Sequence, residues 1–127
     1  DGRIFGKRIA ADGTLLDGPA SADGIAIATA PVANYGAVVG YVGTDYVVAW
    51  GVGSYPQYGT AGIYSARVSA DGVLDGVPGT LGPSVSGTPP GGAWYVQPRI
   101  SSRGTEALVT WIKRGSSVDV LGAVVRP

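Results

Sequence analysis

The sequence predicts an all-β protein made of antiparallel four-stranded units. Three observations carry that expectation. Apolar residues alternate with period 2, Asp-Gly pairs flank the alternating runs, and the same runs recur about 60 positions apart. No window holds a 3.6-residue apolar stripe. The 22 Gly and 9 Pro among 127 residues interrupt the chain too often for a helix longer than about two turns.

The recurrence sets the order of elements. Ile4-Phe5-Gly6-Lys7-Arg8-Ile9-Ala10-Ala11-Asp12-Gly13 returns as Ile63-Tyr64-Ser65-Ala66-Arg67-Val68-Ser69-Ala70-Asp71-Gly72. Leu16-Asp17-Gly18 returns as Leu74-Asp75-Gly76, and a truncated third copy of the first motif spans Val120 to Val125. A second block, Gly43-Thr44-Asp45-Tyr46-Val47-Val48-Ala49-Trp50, matches Gly104-Thr105-Glu106-Ala107-Leu108-Val109-Thr110-Trp111. Self-similarity of this period marks a repeat architecture.

Each repeat then supplies four strands. An apolar entry strand (Val38–Val42; Val96–Ser101) is followed by a Trp-ended strand (Tyr46–Trp50; Ala107–Ile112). The Ile-aromatic strand comes next (Ile63–Ser69; Val118–Val125), then a looser one near Ile25–Ala28 and Leu81–Ser86. In the Ile-aromatic strand one face is mostly apolar (Phe5, Lys7, Ile9; Tyr64, Ala66, Val68) and the other is small or basic (Gly6, Arg8; Ser65, Arg67). The Trp strand is apolar on both faces, with Val48 and Trp50 opposite Val47, as in a sheet covered on both sides. Trp50 and Trp111 are therefore expected in the core. The Asp-Gly pairs at 12, 17, 71 and 75 supply tight turns, because Gly accepts the positive φ that Asp also tolerates.

Four strands in about 60 residues is the dimension of a propeller blade. Gly62-Ile63-Tyr64-Ser65-Ala66-Arg67-Val68 and Val47-Val48-Ala49-Trp50 resemble the tandem repeats of secreted bacterial β-propeller-like proteins over most of the chain. The resemblance implies blade-like repeats in a propeller-type partial array, and no substrate. The expected organisation is one all-β unit over residues 1–127, with imperfect repeats at about 3–61 and 62–118 plus the first strand of a third. The chain opens and closes on the same strand type, and two blades cannot close a ring. Three arrangements stay open: a piece of a longer array, a ring completed by oligomerising, or a β-sandwich or barrel of two repeats.

Composition narrows the chemistry. With no His and no Cys, zinc sites built on those residues, Ser-His-Asp and Cys-His catalysis and a disulfide framework are excluded. Nine basic residues balance nine acidic ones, so no basic footprint for nucleic acid exists. No Asp-x-Asp-x-Asp run offers a calcium loop, and no cofactor is expected. Paired carboxylates are the one common catalytic device left. Most of the acids sit at turns or just before the Trp strand, where turn formation and solvation account for them. Gly51-Val52-Gly53-Ser54-Tyr55-Pro56 lacks the third glycine of a dinucleotide loop and reads as a plain loop.

Candidate contact residues are of two kinds. Tyr55 and Tyr58 in one loop, and Trp94 and Tyr95 in another, offer flat amphipathic area for a glycan or protein, or else lids over a small core. The terminal strands, Arg3–Ala10 and Val118–Arg126, offer assembly edges at Ile4, Phe5, Val118, Val120 and Val124. Arg8 and Arg67 recur on the small face, where each is expected to bridge carbonyls or a carboxylate such as Asp45 or Glu106.

The functional expectation is a non-catalytic structural or interaction module that assembles with itself or a protein partner through its terminal strands. The alternatives are a glycan-binding module using the aromatic loops, and a fragment or accessory subunit of a larger secreted hydrolase. No apolar run approaches the roughly 20 residues of a membrane helix, and no signal-peptide pattern is present. The chain opens on Asp1 rather than Met, so an upstream segment is expected. Gly-rich, Lys-poor, Cys-free composition leans toward an extracellular, cell-surface or periplasmic bacterial protein.

Overall fold

A computed structural model describes residues 2–30, 32–54, 57–72, 74–75, 84–89 and 91–126, with the backbone alone at 54, 57–61 and 74–75. Among these residues every regular element is a strand: β1 (Ile4–Gly6), β2 (Ile25–Ala28), β3 (Asn34–Val42), β4 (Asp45–Ser54), β5 (Gln57–Ser69), β6 (Leu74–Asp75), β7 (Trp94–Arg103), β8 (Glu106–Arg114) and β9 (Val118–Val125). They form three antiparallel sheets in the orders β1-β2, β3-β4-β5-β6 and β7-β8-β9. None of the three closes into a barrel.

The two larger sheets share a register. Trp50 pairs with Tyr64 across β4 and β5, and Trp111 pairs with Leu121 across β8 and β9. The register slips between Tyr35 and Val38 on β3 and between Val96 and Arg99 on β7, where Gly36 (φ 63°) and Gln97 (φ 53°) take left-handed conformations. These are bulges, each placing one extra residue opposite the neighbouring strand. They explain a correction: β3 and β7 begin at Asn34 and Trp94, earlier than the apolar runs alone suggest, because the bulge lets pairing continue past it. Gly51–Ser54, read from sequence as loop, likewise continues β4. A Cβ at Gly51 would lie 2.4 Å from the Tyr35 ring, so glycine there lets the phenol cross the strand.

The sheets pack face to face with β3–β6 in the middle. Ile4, Ile27 and Ala28 of the first sheet meet Val48, Trp50, Val52, Ala66 and Val68 of the second. On the opposite face Ala49 and Ile63 meet Tyr95, Val109 and Trp111 of the third. Both tryptophans expected in the core are there. The double-sided apolar pattern of the Trp strand is thus satisfied in β4, which buries Val47 and Ala49 on one side and Val48 and Trp50 on the other. Gly13 and Gly72, the second residues of two Asp-Gly turns, adopt φ of 88° and 82° as that turn chemistry requires. The expected strand at Leu81–Ser86 is described only from Ser84, which bridges to Tyr64.

Candidate interaction surfaces

The exposed large apolar side chains gather at the two ends of the stack. At the third-sheet end lie Leu108, Val118, Val120 and Val124; near the first sheet lie Phe5, Ile9, Leu16, Val39 and Tyr41. Scattered single apolar residues are ordinary on a protein surface, whereas contiguous ones mark contact sites.

Alternation builds the third-sheet surface. β8 turns Val109 and Trp111 inward onto the second sheet, which sends Leu108, Thr110 and Ile112 outward. Val124, Gly122 and Val120 stand beside them on β9 in direct register. Val118 and Val120 are 72% and 75% exposed. Arginines rim the strip: Arg126 is tied to Glu106 at 2.6 Å, and Arg99 and Arg114 lie toward β7. The outer edge of β9 has no strand partner among the described residues. On β5, by contrast, the outer edge pairs with β6 and, at Tyr64, with Ser84. Of the five assembly-edge residues expected from sequence, Val118, Val120 and Val124 lie on this surface and Phe5 is partly exposed at the other end. Ile4 is not available. Its side chain is buried against the second sheet, because it sits on the inward face of β1.

At the other end, a largely apolar groove of about 420 Å³ runs along β1. Residues 4–9 form one wall, and Val39, Tyr46 and Val48 of the second sheet form its floor. β1 pairs with β2 on one edge and with no described strand on the other. Tyr41 extends the apolar surface, its ring edge-on to Tyr46 at 5.0 Å between centroids.

The aromatic loops divide. Tyr55 lies outside the described residues, as does the side chain of Tyr58, whose backbone belongs to β5. Tyr95 is in the core beside Trp111, centroids 5.9 Å apart, so its ring fills space between sheets and is no surface platform. Its carbonyl accepts a hydrogen bond from the Tyr35 hydroxyl at 2.9 Å, and burial pushes the Tyr35 phenol upward from its ordinary pKa. Trp94 is half-buried and lines a hollow of about 400 Å³ with Tyr35, Gln97, Arg99 and Arg114.

The described carboxylates with a resolved partner are engaged in structural contacts. Asp17 binds the Arg8 guanidinium at 2.6 Å and accepts the Arg8 backbone N–H at 2.7 Å. Those bonds hold the Asp17 carboxyl below the usual carboxylate range. Arg8 also donates to the Ala70 carbonyl of the second sheet, the bridging role expected of it. Arg67 lies 3.5 Å from Asp45. Hydrogen bonds from Ser117 and then Lys113 hold the Asp119 carboxyl below its ordinary value, and the Thr14 amide does the same for Asp12. No group of three or more potential metal ligands occurs among the described residues, and no described helix is long and apolar enough to cross a membrane. The groove floor at Val39 lies outside the contact residues expected from sequence; its signal is the consecutive Val38-Val39, which makes the entry strand apolar on both faces.

Comparison with known proteins gives no match to a family model, to a curated protein or to a solved structure.

Proposed function

We propose that this chain is a non-catalytic structural and interaction module: a stack of blade-like sheets that continues into a further β layer in its assembled state. One observation carries the reading. Val47, Ala49 and Ile63 on the second sheet are covered by the third, while their register counterparts Leu108, Thr110 and Val120 on the third sheet face outward. The shared bulges and shared Trp register support treating the two sheets as successive repeats, in line with the resemblance to propeller-like arrays of secreted or cell-surface bacterial proteins. A face with the same alternation wants the same kind of cover, and burying it removes apolar area from water at about 25 cal/mol per Å². The covering layer is a sheet of this repeat type, from another copy or a partner protein.

Sedimentation of the chain from micromolar to millimolar concentration tests this. Concentration-dependent association is expected, and it should vanish in the double variant Val120→Glu, Val124→Glu. A chain that stays monomeric throughout, with dye-accessible apolar surface no greater than in the double variant, would overturn the reading.

A second reading, glycan binding, is favoured by the hollow in which Trp94 lies with Arg99 and Arg114. An indole beside guanidinium groups suits a sugar ring bearing a carboxylate or sulfate. A glycan array screened with the chain and with Trp94→Ala decides it: specific binding lost in the variant favours the glycan module.

A further inference from the structure

We infer that the hollow beside Trp94 is the binding site for a uronic acid residue of an acidic glycan, its carboxylate held by Arg99 and Arg114. This assignment rests on the glycan reading above and goes beyond it, naming the charged sugar and the residues that select it.

The hollow lies where the two larger sheets part company. Under their shared register, Trp94, Gln97, Arg99 and Arg114 of the third sheet stand where the second has Ala33, Gly36, Val38 and Gly53. Four small or apolar positions have become an indole, an amide and two cations, and all four line one hollow of about 400 Å³. Core packing does not ask for the change. Val38 packs into the layer between the two sheets, and a Cβ at Gly36 would come within 3.7 Å of the Pro98 ring. Gln97, Arg99 and Arg114 are exposed instead.

Backbone strain marks the same place. Gln97 is the one non-glycine with positive φ among the described residues, at 53°, a region its counterpart Gly36 enters freely. A long side chain held there costs stability, and such outliers gather at ligand clamps.

Charge and spacing define the occupant. Neither guanidinium has a carboxylate partner among the described residues, and no acid lines the hollow. Arg99 donates from Nη1 to the Pro98 carbonyl at 2.9 Å, which orients its fork. Arg114 pairs directly across from Trp94, and such neighbours have Cβ atoms about 5 Å apart. A pyranose lying flat on an indole sends an equatorial carboxylate outward near the plane of its ring, within reach of a guanidinium so placed. The arginine fork matches a carboxylate through two parallel hydrogen bonds. A sulfate ester stands one oxygen further from the ring and is tetrahedral, so it fits that reach less well. Gln97 both donates and accepts, which suits ring hydroxyls.

The test is a titration of the intact chain with a trimer of galacturonic acid. It is read by calorimetry and by the emission of Trp94, the one tryptophan that is not buried. The methyl ester of the same trimer, a neutral galactose trimer and a sulfated galactose trimer run beside it. Saturable binding of the uronate is expected, weakened about tenfold in the methyl ester, which removes the charge-assisted bonds. The sulfated trimer should bind less tightly than the uronate. Arg99→Gln and Arg114→Gln should each weaken the uronate about fivefold. Arg103→Gln, an exposed arginine outside the hollow, should leave binding unchanged. Gln97→Gly restores the residue of the second sheet and should raise the urea midpoint while weakening the uronate. Equal binding of the uronate and its methyl ester, or tighter binding of the sulfated trimer, would overturn the inference and leave the glycan reading standing. Uronate binding untouched by Gln97→Gly, or lowered alike by Arg103→Gln, would overturn it as well. Absence of binding to all four trimers at millimolar concentration would end both.

Discussion

The second and third sheets are built on one plan and live in different surroundings. Both carry a bulged entry strand, a Trp strand and an Ile-aromatic strand in the same register, yet among the described residues the second is covered on both faces and the third on one. Ile63 is fully buried and its counterpart Val120 is 75% exposed. The same pattern of residues is therefore core in one place and surface in the other, and the difference lies in neighbours, not in local sequence. A strand that is apolar on both sides states what it needs. Only the packing states whether the need is met.

The largest effect that can break this comparison is truncation at the matched pair. Ile63→Ala removes a fully buried side chain clustered with Ala49 and Trp111 and should cost about 2–5 kcal/mol, through lost transfer energy and the cavity left behind. Val120→Ala in the monomer should stay within about 0.5 kcal/mol, the usual range for surface positions. Urea unfolding of both variants checks it. Equal destabilisation in dilute solution would mean that the third-sheet face is already covered, and the contrast would fail.

The tryptophans sharpen the comparison at a smaller scale. Trp50 Nε1 donates to Asn34 Oδ1 at 3.1 Å, whereas Trp111 Nε1 is buried without a partner among the described residues. The reason lies one strand away. The position matching Asn34 is Tyr95, whose ring packs at a tilt against Trp111 but offers its indole no acceptor. Replacing either tryptophan by Phe loses similar volume, so the difference between the two variants isolates the hydrogen bond. Trp50→Phe leaves the buried Asn34 oxygen unpaired and should be the more destabilising by about 1–3 kcal/mol. Matching midpoints for the two variants would show that the Asn34 contact contributes nothing net.

How far the sequence carries the fold is clear from the same residues. Period-2 alternation, the Asp-Gly turns and the recurrence predict an all-β chain, place most strands and put both tryptophans in the core. They miss the bulges at Gly36 and Gln97, since a left-handed residue in a strand leaves no periodic trace when the second copy is not glycine. Tyr95 reads as a loop aromatic because Pro89, Pro90, Gly91 and Gly92 precede it, and tertiary packing overrides that cue. The exposed valines of β9 are legible as an edge. The groove is not, because it forms where residues 4–9 meet the second sheet, a contact between segments far apart in sequence that local periodicity does not encode.

The smallest expected effect separates the two recurring arginines. Arg8 grips Asp17 through both carboxylate oxygens, with both side chains mostly shielded, and reaches across to the Ala70 carbonyl. Arg67 meets Asp45 at a longer 3.5 Å and is more exposed. In the folded chain the Asp17 carboxyl is held below its ordinary value, chiefly by the hydrogen bonds from Arg8. The folded state thus binds that proton less readily than the unfolded state does. Its contribution is fully present above the unfolded carboxylate pKa of about 3.9 and is lost as pH falls through the lower folded value. The Arg8 guanidinium, itself pushed upward by Asp17, stays charged over that whole range and adds no slope. Asp12 and Asp119 also titrate low, but they do so alike in the parent chain and in Asp17→Asn, so their slopes cancel in the difference. Urea midpoints of the two proteins should therefore differ by a constant amount from neutral pH down to about pH 4. Below that the gap should narrow, as acid removes from the parent chain the charge the variant never had. A gap that stays constant into strong acid would show that Asp17 acts through packing alone.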